Sequence, residues 1–533
     1  MQRFLITFDA NFAEMGVPMN VFWGGGSKLL SGPIPGSKVE LRGSPEGTLR
    51  ILIAGAASAA LYAITQLMQR AIFRNGLRAD PLFIDPGYPA DPSTLLWQCG
   101  LYFLSNLCLF ALYGFVLFRC QRGELERGAG RAWALAFPVL FNLLLMPGVP
   151  HLSQDIFSYM AHGYLGKLPS GNPLLLPASA ASDSAIGPLL AAYGWHADLG
   201  IGITPYGVLW TRLEMAVMGI TSDVWTALLL LKAVVVAASL GTAFLIWSFL
   251  GRTNPRFQMS GTLAYLWNPL VVVEFAGEGH NDSVVIVFVL AVLVACAAMR
   301  PAVSIAALSL GVLVKYIPVM FVPALLAYLW RTRRGTGWLA LQIFIGLLAG
   351  ACVATILYLP LWAGLETFQG LVARGKPISS ASPAGAINWI VMRTPFGSMS
   401  GPLTLALVTI PTVGYMLWTS MRVREIAGLG RAFAQVSLAF VLVASPDYWP
   451  WYVVLPVALI AAASPDKSLW ITFLLSLLGR LCAPLDILFE NGFITFPVAK
   501  GLTTGLGTTL PLLVVATWSL LAWRRRSNLT NLN

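Results

Sequence analysis

Charge is what this sequence has least of. Asp, Glu, Lys and Arg make up only 11% of its 533 residues, against 57% hydrophobic, where soluble domains carry about a quarter charged. A core of ordinary size cannot absorb so much apolar surface, so the excess must face lipid. Alternation is scarce as well: the apolar runs are continuous, which argues against a β-barrel. Cysteine is sparse. Cys99, Cys108, Cys120, Cys296, Cys352 and Cys482 lie in or beside apolar runs without metal-ligand spacing, and read as small packing residues. No glycine-rich loop opens a helix after a strand, so a soluble nucleotide has no visible seat. The start lacks a basic segment leading at once into an apolar core, so it does not read as a signal peptide. No repeat of fixed period is present.

What charge there is has a sign and a pattern. The net charge is +11, but the basic residues cluster at the ends of apolar segments, as orientation signals do, and not as a nucleic-acid footprint. The reading is an all-α, polytopic transmembrane helical bundle of about 12–14 crossings with both termini cytoplasmic. Residues 1–48 read as a flexible cytoplasmic tail, 49–526 as the membrane domain and 527–533 as a second tail.

Threading on basic residues alone gives the topology. A span over 51–67 leads to an outer loop with three Asp-Pro turns; Arg70, Arg74 and Arg78 there run against the positive-inside rule. A span over 95–118 ends inside at Arg119, Arg122, Arg127 and Arg131. One over 132–146 then delivers 151–177 to the outer face. Further on, 259–273 reads as one outward span and 284–299 as its return. The apolar stretch up to Trp330 is basic at both ends, too long for one span and short for two. It reads as two short helices broken at Lys315-Tyr316-Ile317-Pro318, where the proline cannot continue the ladder.

This threading, which ignores acids, places four polar clusters on one face: the Asp155 loop, Glu274 to Asp282, Glu366 to Trp389, and Asp447 to Tyr452, with Lys315 at the same depth. A carboxylate at the centre of a span costs about 2.5–3.5 kcal/mol, so such groups persist where they pair, cap or react. An acid near the membrane surface can take a proton from a sugar hydroxyl. Lys315 can hold a phosphate leaving group, and Trp449 and Tyr452 offer flat faces to sugar rings or to the lipid–water boundary. These parts suit glycosyl transfer from a lipid-phosphate sugar.

The residues resemble the GT-C superfamily of polytopic glycosyltransferases, closest to glycosyltransferase family 87 and the related α-1,6-mannosyltransferases of actinobacterial envelopes. The resemblance covers roughly residues 130 to 465 and rests on pieces in the same order. These are Ser153-Gln154-Asp155-Ile156-Phe157-Ser158-Tyr159 with Gly163 and Gly171-Asn172-Pro173; Thr204-Pro205-Tyr206-Gly207; Trp267-Asn268-Pro269-Leu270 followed by Glu274 and Gly279-His280-Asn281-Asp282; Lys315-Tyr316-Ile317-Pro318; and Trp449-Pro450-Trp451-Tyr452. It implies an inverting transferase facing the periplasm of the inner or plasma membrane. The donor would be a polyprenyl-phosphate sugar, with mannose the expected hexose, and the acceptor an envelope glycan or lipid, with no cofactor and no metal. The family's catalytic acid maps to Asp155 as general base. The loop has a single Asp where some relatives pair two acids. Tyr159, Asn172, Tyr206, Glu274, His280, Asn281, Asp282, Lys315, Trp449 and Tyr452 become the candidate substrate-binding set.

Plainer readings stand beside these. Asp155 can cap a short interfacial helix from Ile156, and Asn281 and Asp282 can cap the helix that follows them. Glu274 and His280 can be a pair that only stabilises their loop. Lys315 can snorkel to the interface, and Trp449, Trp451 and Tyr452 can be an aromatic belt. A transporter or flippase of a polar or lipid-linked solute is the alternative function, and would show paired broken helices in two related halves. An envelope polymerase or ligase joining preformed glycans is a third.

Overall fold

The computed structural model describes residues 45–74, 92–125, 128–150, 153, 155–187, 202–374, 381–463, 468–490 and 492–517. The tail up to residue 44, the Asp-Pro loop with Arg78, Arg127, His151, Gln154, Lys376 and the final tail lie outside the described residues. The chain divides into two units, Leu41–Pro511 and Met1–Glu40 with Leu512–Asn533. Of the second, only 512–517 are described, and they are helical.

No β-strand occurs among the described residues. Among the described residues, seven helical segments are long and apolar enough to cross a bilayer, and six apolar helices of 10–17 residues accompany them. The protein is therefore a polytopic helical bundle. Large apolar side chains on its outside, such as Phe344, Ile356 and Ile410, face outward without partners, as a lipid-facing surface requires.

The first three helices are α1 (Pro45–Arg74), α2 (Pro92–Gln121) and α3 (Ala129–Leu145). α1 starts at Pro45, inside the expected tail. Gly55 of α1 lies against the Phe137 ring of α3, where a Cβ would come within 2.2 Å. The polar stretch after α3 folds into a short helix, α4 (Asp155–Leu165). It packs on α5 (Val208–Ile220), a helix that the basic-residue threading left unassigned. Gly163 makes that packing possible, since any side chain there would meet the Glu214 carbonyl at 2.4 Å.

α6 (Val224–Thr253) is capped by Asp223, whose carboxylate accepts from Thr226 N–H at 2.8 Å. The stretch read as a single span over 259–273 is broken. α7 (Gln258–Leu266) stops at Trp267, α8 (Pro269–Val272) restarts, and Val273–Gly277 widens into a π turn. Pro269 supplies no N–H to continue the ladder. Asn268 takes over: its side-chain oxygen accepts from Leu270 N–H and its amide donates to Ser476 on a later helix. The Trp267 indole donates to the Ala134 carbonyl, which fastens the break to α3.

α9 (Asp282–Ala297) and α10 (Pro301–Val314) follow. The expected break then falls where the sequence put it: α10 ends at Val314, Lys315 and Tyr316 are non-helical, Ile317–Phe321 forms a 3₁₀ turn and α11 (Val322–Thr332) completes the pair. α12 (Thr336–Tyr358) leads to short helices α13 (Gln369–Arg374) and α14 (Pro383–Val391), then α15 (Ser400–Met421) and α16 (Ile426–Ala439). A second π turn, Phe440–Ala444, precedes the Asp447 to Tyr452 segment. α17 (Val454–Ala463), α18 (Leu469–Glu490) and α19 (Phe496–Thr504) end in a third π turn, Gly505–Thr509.

Arg331, at the end of α11, donates to the carbonyls of Met421 and Val423 at the end of α15. Two basic-flanked ends that the threading assigned to one side thus meet.

Candidate active site

Asp155 opens α4 and is half-buried. Its carboxylate is held by two tyrosines through one oxygen: Tyr206 Oη donates to Oδ2 at 2.8 Å and Tyr159 Oη lies 3.4 Å from the same atom. None of the described residues donates to Oδ1. A pure capping role would place the carboxylate on helix N–H groups, whereas here its described partners are phenols. Tyr159 sits one helical turn after Asp155, so both project from one face of α4. Its ring meets Tyr206 and Trp210 edge-on at 5.3 and 5.1 Å. Burial, then the neighbouring Tyr206 and Asp155, push the Tyr159 hydroxyl well above its ordinary value, so it remains a donor.

Tyr206 arrives by an unusually close approach. Gly207 donates its N–H to the Val314 carbonyl at 2.9 Å, an acceptor at the end of α10. A Cβ at Gly207 would meet the Leu313 carbonyl at 2.2 Å, so glycine is required for this strand-like segment to lie on the helix end. The result sets the Tyr206 ring 5.5 Å from Lys315 Nζ. Tyr452 presents its ring at the same distance from another direction. Lys315 Nζ also contacts both oxygens of Asp282, at 3.0 and 3.1 Å. An ammonium has three N–H donors; two on Asp282 leave one for a ligand.

His280 lies fully buried between these groups and the interior. Its Nδ1 is 3.0 Å from Glu274 Oε2. Glu274 in turn pairs with Arg480 of α18 at 3.3 Å. Arg480 also reaches Asn106 and the Tyr102 hydroxyl on α2. Burial pulls His280 toward the neutral form, but Glu274, supported by Asp155 and Asp282, outweighs it and its pKa is raised. The imidazole stacks on Trp451 at 4.0 Å, and Trp451 stacks on Trp449 at 5.0 Å, giving three near-parallel rings. Asn281 is fully buried with both side-chain polar atoms unpartnered among the described residues.

Two further buried charges tie the loops together. Lys232, deep in α6, donates to the carbonyls of Gly148 and Gly277, both at 2.5 Å. Glu278, close by, accepts from Ser153 N–H at 3.2 Å. Gly279, with φ of +80°, lets the chain turn while packing on Ile156, one residue after Asp155. Lys232 and Glu278 thus hold the start of α4 against the loop that carries His280 and Asp282.

The structure therefore brings Asp155, Tyr159, Tyr206, His280, Asp282, Lys315 and Tyr452 into one cluster, with Glu274 and Trp449 behind it. Asn172 is placed elsewhere. Its amide donates to the Leu361 carbonyl at 2.8 Å and its oxygen accepts from Leu174 N–H, so it folds its own turn and fixes the 359–361 segment. His162 Nε2–H donates to the Gly202 carbonyl at 2.6 Å, and burial pushes the pKa of the ring down to about 4. Sequence reasoning passed over Lys232, Arg480 and Glu214. Lys232 and Arg480 are lone charges inside apolar runs, and Glu214 has only Arg212 beside it in one; that is the signal that finds them. Glu214 on α5 is fully buried and burial raises its pKa well above the ordinary value. No cluster of metal-ligating residues occurs among the described residues.

Fold and site together define an integral-membrane protein with a carboxylate–tyrosine–cation centre at the ends of its helices. Residues 52–331, just over half of the chain, match the family described as alpha-(1->6)-mannopyranosyltransferase, N-terminal domain, and the chain belongs to that family. It is similar to alpha-(1->6)-mannopyranosyltransferase A of Mycobacterium tuberculosis (strain ATCC 25618 / H37Rv), at 25% identity over 306 residues, which is 55% of this chain and 54% of the relative. The chain thus aligns with about half the length of that relative. The family match includes Asp155, Tyr206, His280 and Lys315; Trp451 and Arg480 lie beyond it.

Proposed function

We propose that this protein is a membrane glycosyltransferase that moves mannose from a polyprenyl-phosphate donor to a glycan or lipid acceptor. The observation that carries the reading is Tyr206. Its hydroxyl is on Asp155 and its ring face is under Lys315, so one rigid side chain fixes a base and a phosphate-binding cation at a set separation. Such an arrangement fits in-line displacement at an anomeric carbon. Asp155 Oδ1 takes the proton of the acceptor hydroxyl as the new C–O bond forms. The bond to the phosphate oxygen breaks, and its electron pair leaves with a phosphate held by the remaining Lys315 N–H and by His280 Nε2–H. Attack opposite the leaving phosphate inverts the anomeric centre. Tyr452 and the Trp449–Trp451 stack supply flat apolar surface for a sugar ring. The family match supports the mannosyl substrate class.

The basic ends of α2, α6, α11 and α15 lie away from this centre in the threading, so the site faces the periplasm or exterior of the inner or plasma membrane. For the transporter reading, the breaks at Asn268, Lys315 and Pro450 matter. They converge on one carboxylate–cation cluster, as chemistry at a single site requires.

The test is mannosyl transfer by the purified protein from radiolabelled polyprenyl-phosphate mannose to envelope acceptors. Asp155→Asn, which keeps the size of the side chain, is expected to lower transfer by about 10²–10⁴-fold. Wild-type activity in Asp155→Asn would remove the base assignment. Solute uptake into vesicles lacking any acceptor would favour transport.

A further inference from the structure

The cluster contains a buried chain of charges that never reaches solvent: Arg480, Glu274 and His280 are each at most 1% exposed. Its members come from α18, the first π turn and the loop before α9, and Arg480 is anchored on α2 through Asn106 and Tyr102. Burying an ion pair costs several kcal/mol of desolvation per ion, and swapping it for apolar residues is often neutral or stabilising. Stability therefore gives no reason to place three ionisable groups here. Their end point does: His280 Nδ1 is turned to Glu274, while Nε2 is fully buried and has no partner among the described residues.

Charge balance gives the same answer. The centre holds three carboxylates, Asp155, Glu274 and Asp282, and two fixed cations, Lys315 and Arg480. With a neutral imidazole the sum is negative, and a phosphate would be repelled. With an imidazolium it is zero. The groups surrounding the ring are Glu274 from the π turn, Asp155 from α4, Asp282 from α9, Lys315 on Asp282, and the uncharged Trp451 face. The next charges along the loop are turned onto backbone groups: Lys232 onto the Gly148 and Gly277 carbonyls, Glu278 onto the Ser153 N–H, and Asp447 onto its neighbour's N–H.

We propose that Arg480 and Glu274 are positioning residues: Arg480 orients Glu274, and Glu274 fixes the orientation and the charge of His280, so that Nε2–H is presented to the anionic group of the donor. The inference rests on the transferase reading for its activity readout, but not for its titration readout. Arg480 acts through two intermediates, from about 150 residues beyond the end of the family match.

The experiment uses the full-length protein in detergent with ¹⁵N-labelled histidines, His280 being identified by loss of its signals in His280→Asn. In the wild type, His280 is expected to titrate above the ordinary value of about 6.5. Glu274→Gln retains shape but removes the charge, so burial is left to act on the ring. The His280 midpoint is then expected to fall by about one pH unit or more, and the alkaline limb of mannosyl transfer to move down with it. Arg480→Met shifts both in the same direction, and Arg480→Lys restores most of the shift. A merely structural pair would lower the amount of folded protein without moving either midpoint. A wild-type His280 titrating at or below 6.5, or a Glu274→Gln protein whose limb and midpoint stay in place, overturns the proposal. Should Glu274→Gln not fold, the wild-type titration alone decides. Absence of transfer at any pH in the wild type counts against the function, while the titration still judges the relay.

Discussion

Replacing Tyr206 by Phe removes one oxygen and leaves the ring that faces Lys315. The lost contact is the 2.8 Å hydrogen bond to Asp155 Oδ2. A hydrogen bond to a charged acceptor contributes about 1.5–3 kcal/mol. The Tyr159 hydroxyl, 3.4 Å away, is beyond the usual O–H···O range and holds the carboxylate weakly. It can move in and recover part of the loss, so the lower half of that range applies. At about 1.4 kcal/mol per factor of ten, kcat/KM should fall about 10- to 30-fold. Since Lys315 and its two aromatic faces stay, donor KM should change little and the loss should fall on kcat. Tyr159→Phe alone should cost less, about 3-fold, because it starts from the longer contact. The double variant should cost more than the product of the two, because the second tyrosine is what compensates for the first. Initial rates with saturating acceptor and varied donor provide the measurement. The reasoning fails if Tyr206→Phe retains wild-type kcat, or if Tyr159→Phe is the more damaging of the two.

Other expectations follow from the surrounding shell. Gly279→Ala forces a side chain onto a residue with φ of +80° and to within 2.4 Å of Ile156 Cδ1, so both the melting temperature in detergent and mannosyl transfer should drop. Lys232→Met leaves the buried Gly148 and Gly277 carbonyls without the donor they share and should destabilise by about 1–3 kcal/mol, read in the same thermal assay. His162 protonates near pH 4 in the folded protein and near 6.5 unfolded. Between these values the unfolded chain binds more protons, so stability falls as pH drops through that window, by about 3 kcal/mol at most. His162→Gln should flatten that part of the melting-temperature profile.

Much of this was legible in the residues, for physical reasons. Pro318 and Pro269 cannot donate to a helix ladder, yet only the first break was read from the sequence. Around Pro269 the apolar run is interrupted by Asn268 alone, and Asn268 repairs the break with its own side chain. The convergence of Asp155, Asp282 and Lys315 was readable because acids at helix ends are costly near lipid and stand out against an apolar background. The Lys315–Asp282 pairing itself was not, because residues 33 positions apart in sequence meet only through the return of α10 beside α9. Asn172 stood within a recognisable turn motif; its oxygen closes that turn and its nitrogen reaches the Leu361 carbonyl, a partner 189 residues away. Lys232 and Arg480 were the clearest misses. Each sat in an apolar run long enough to be read as a lipid-facing helix, and one buried charge was outweighed by the leucines around it.

The three π turns carry a consequence of their own. Each holds one residue more than an α-turn would, at Val273–Gly277, Phe440–Ala444 and Gly505–Thr509. Deleting that extra residue would restore a regular ladder and swing everything after it by about 100° around the axis. A single codon gained or lost at these points redirects His280 or Trp451 while leaving the membrane-embedded helix before it untouched.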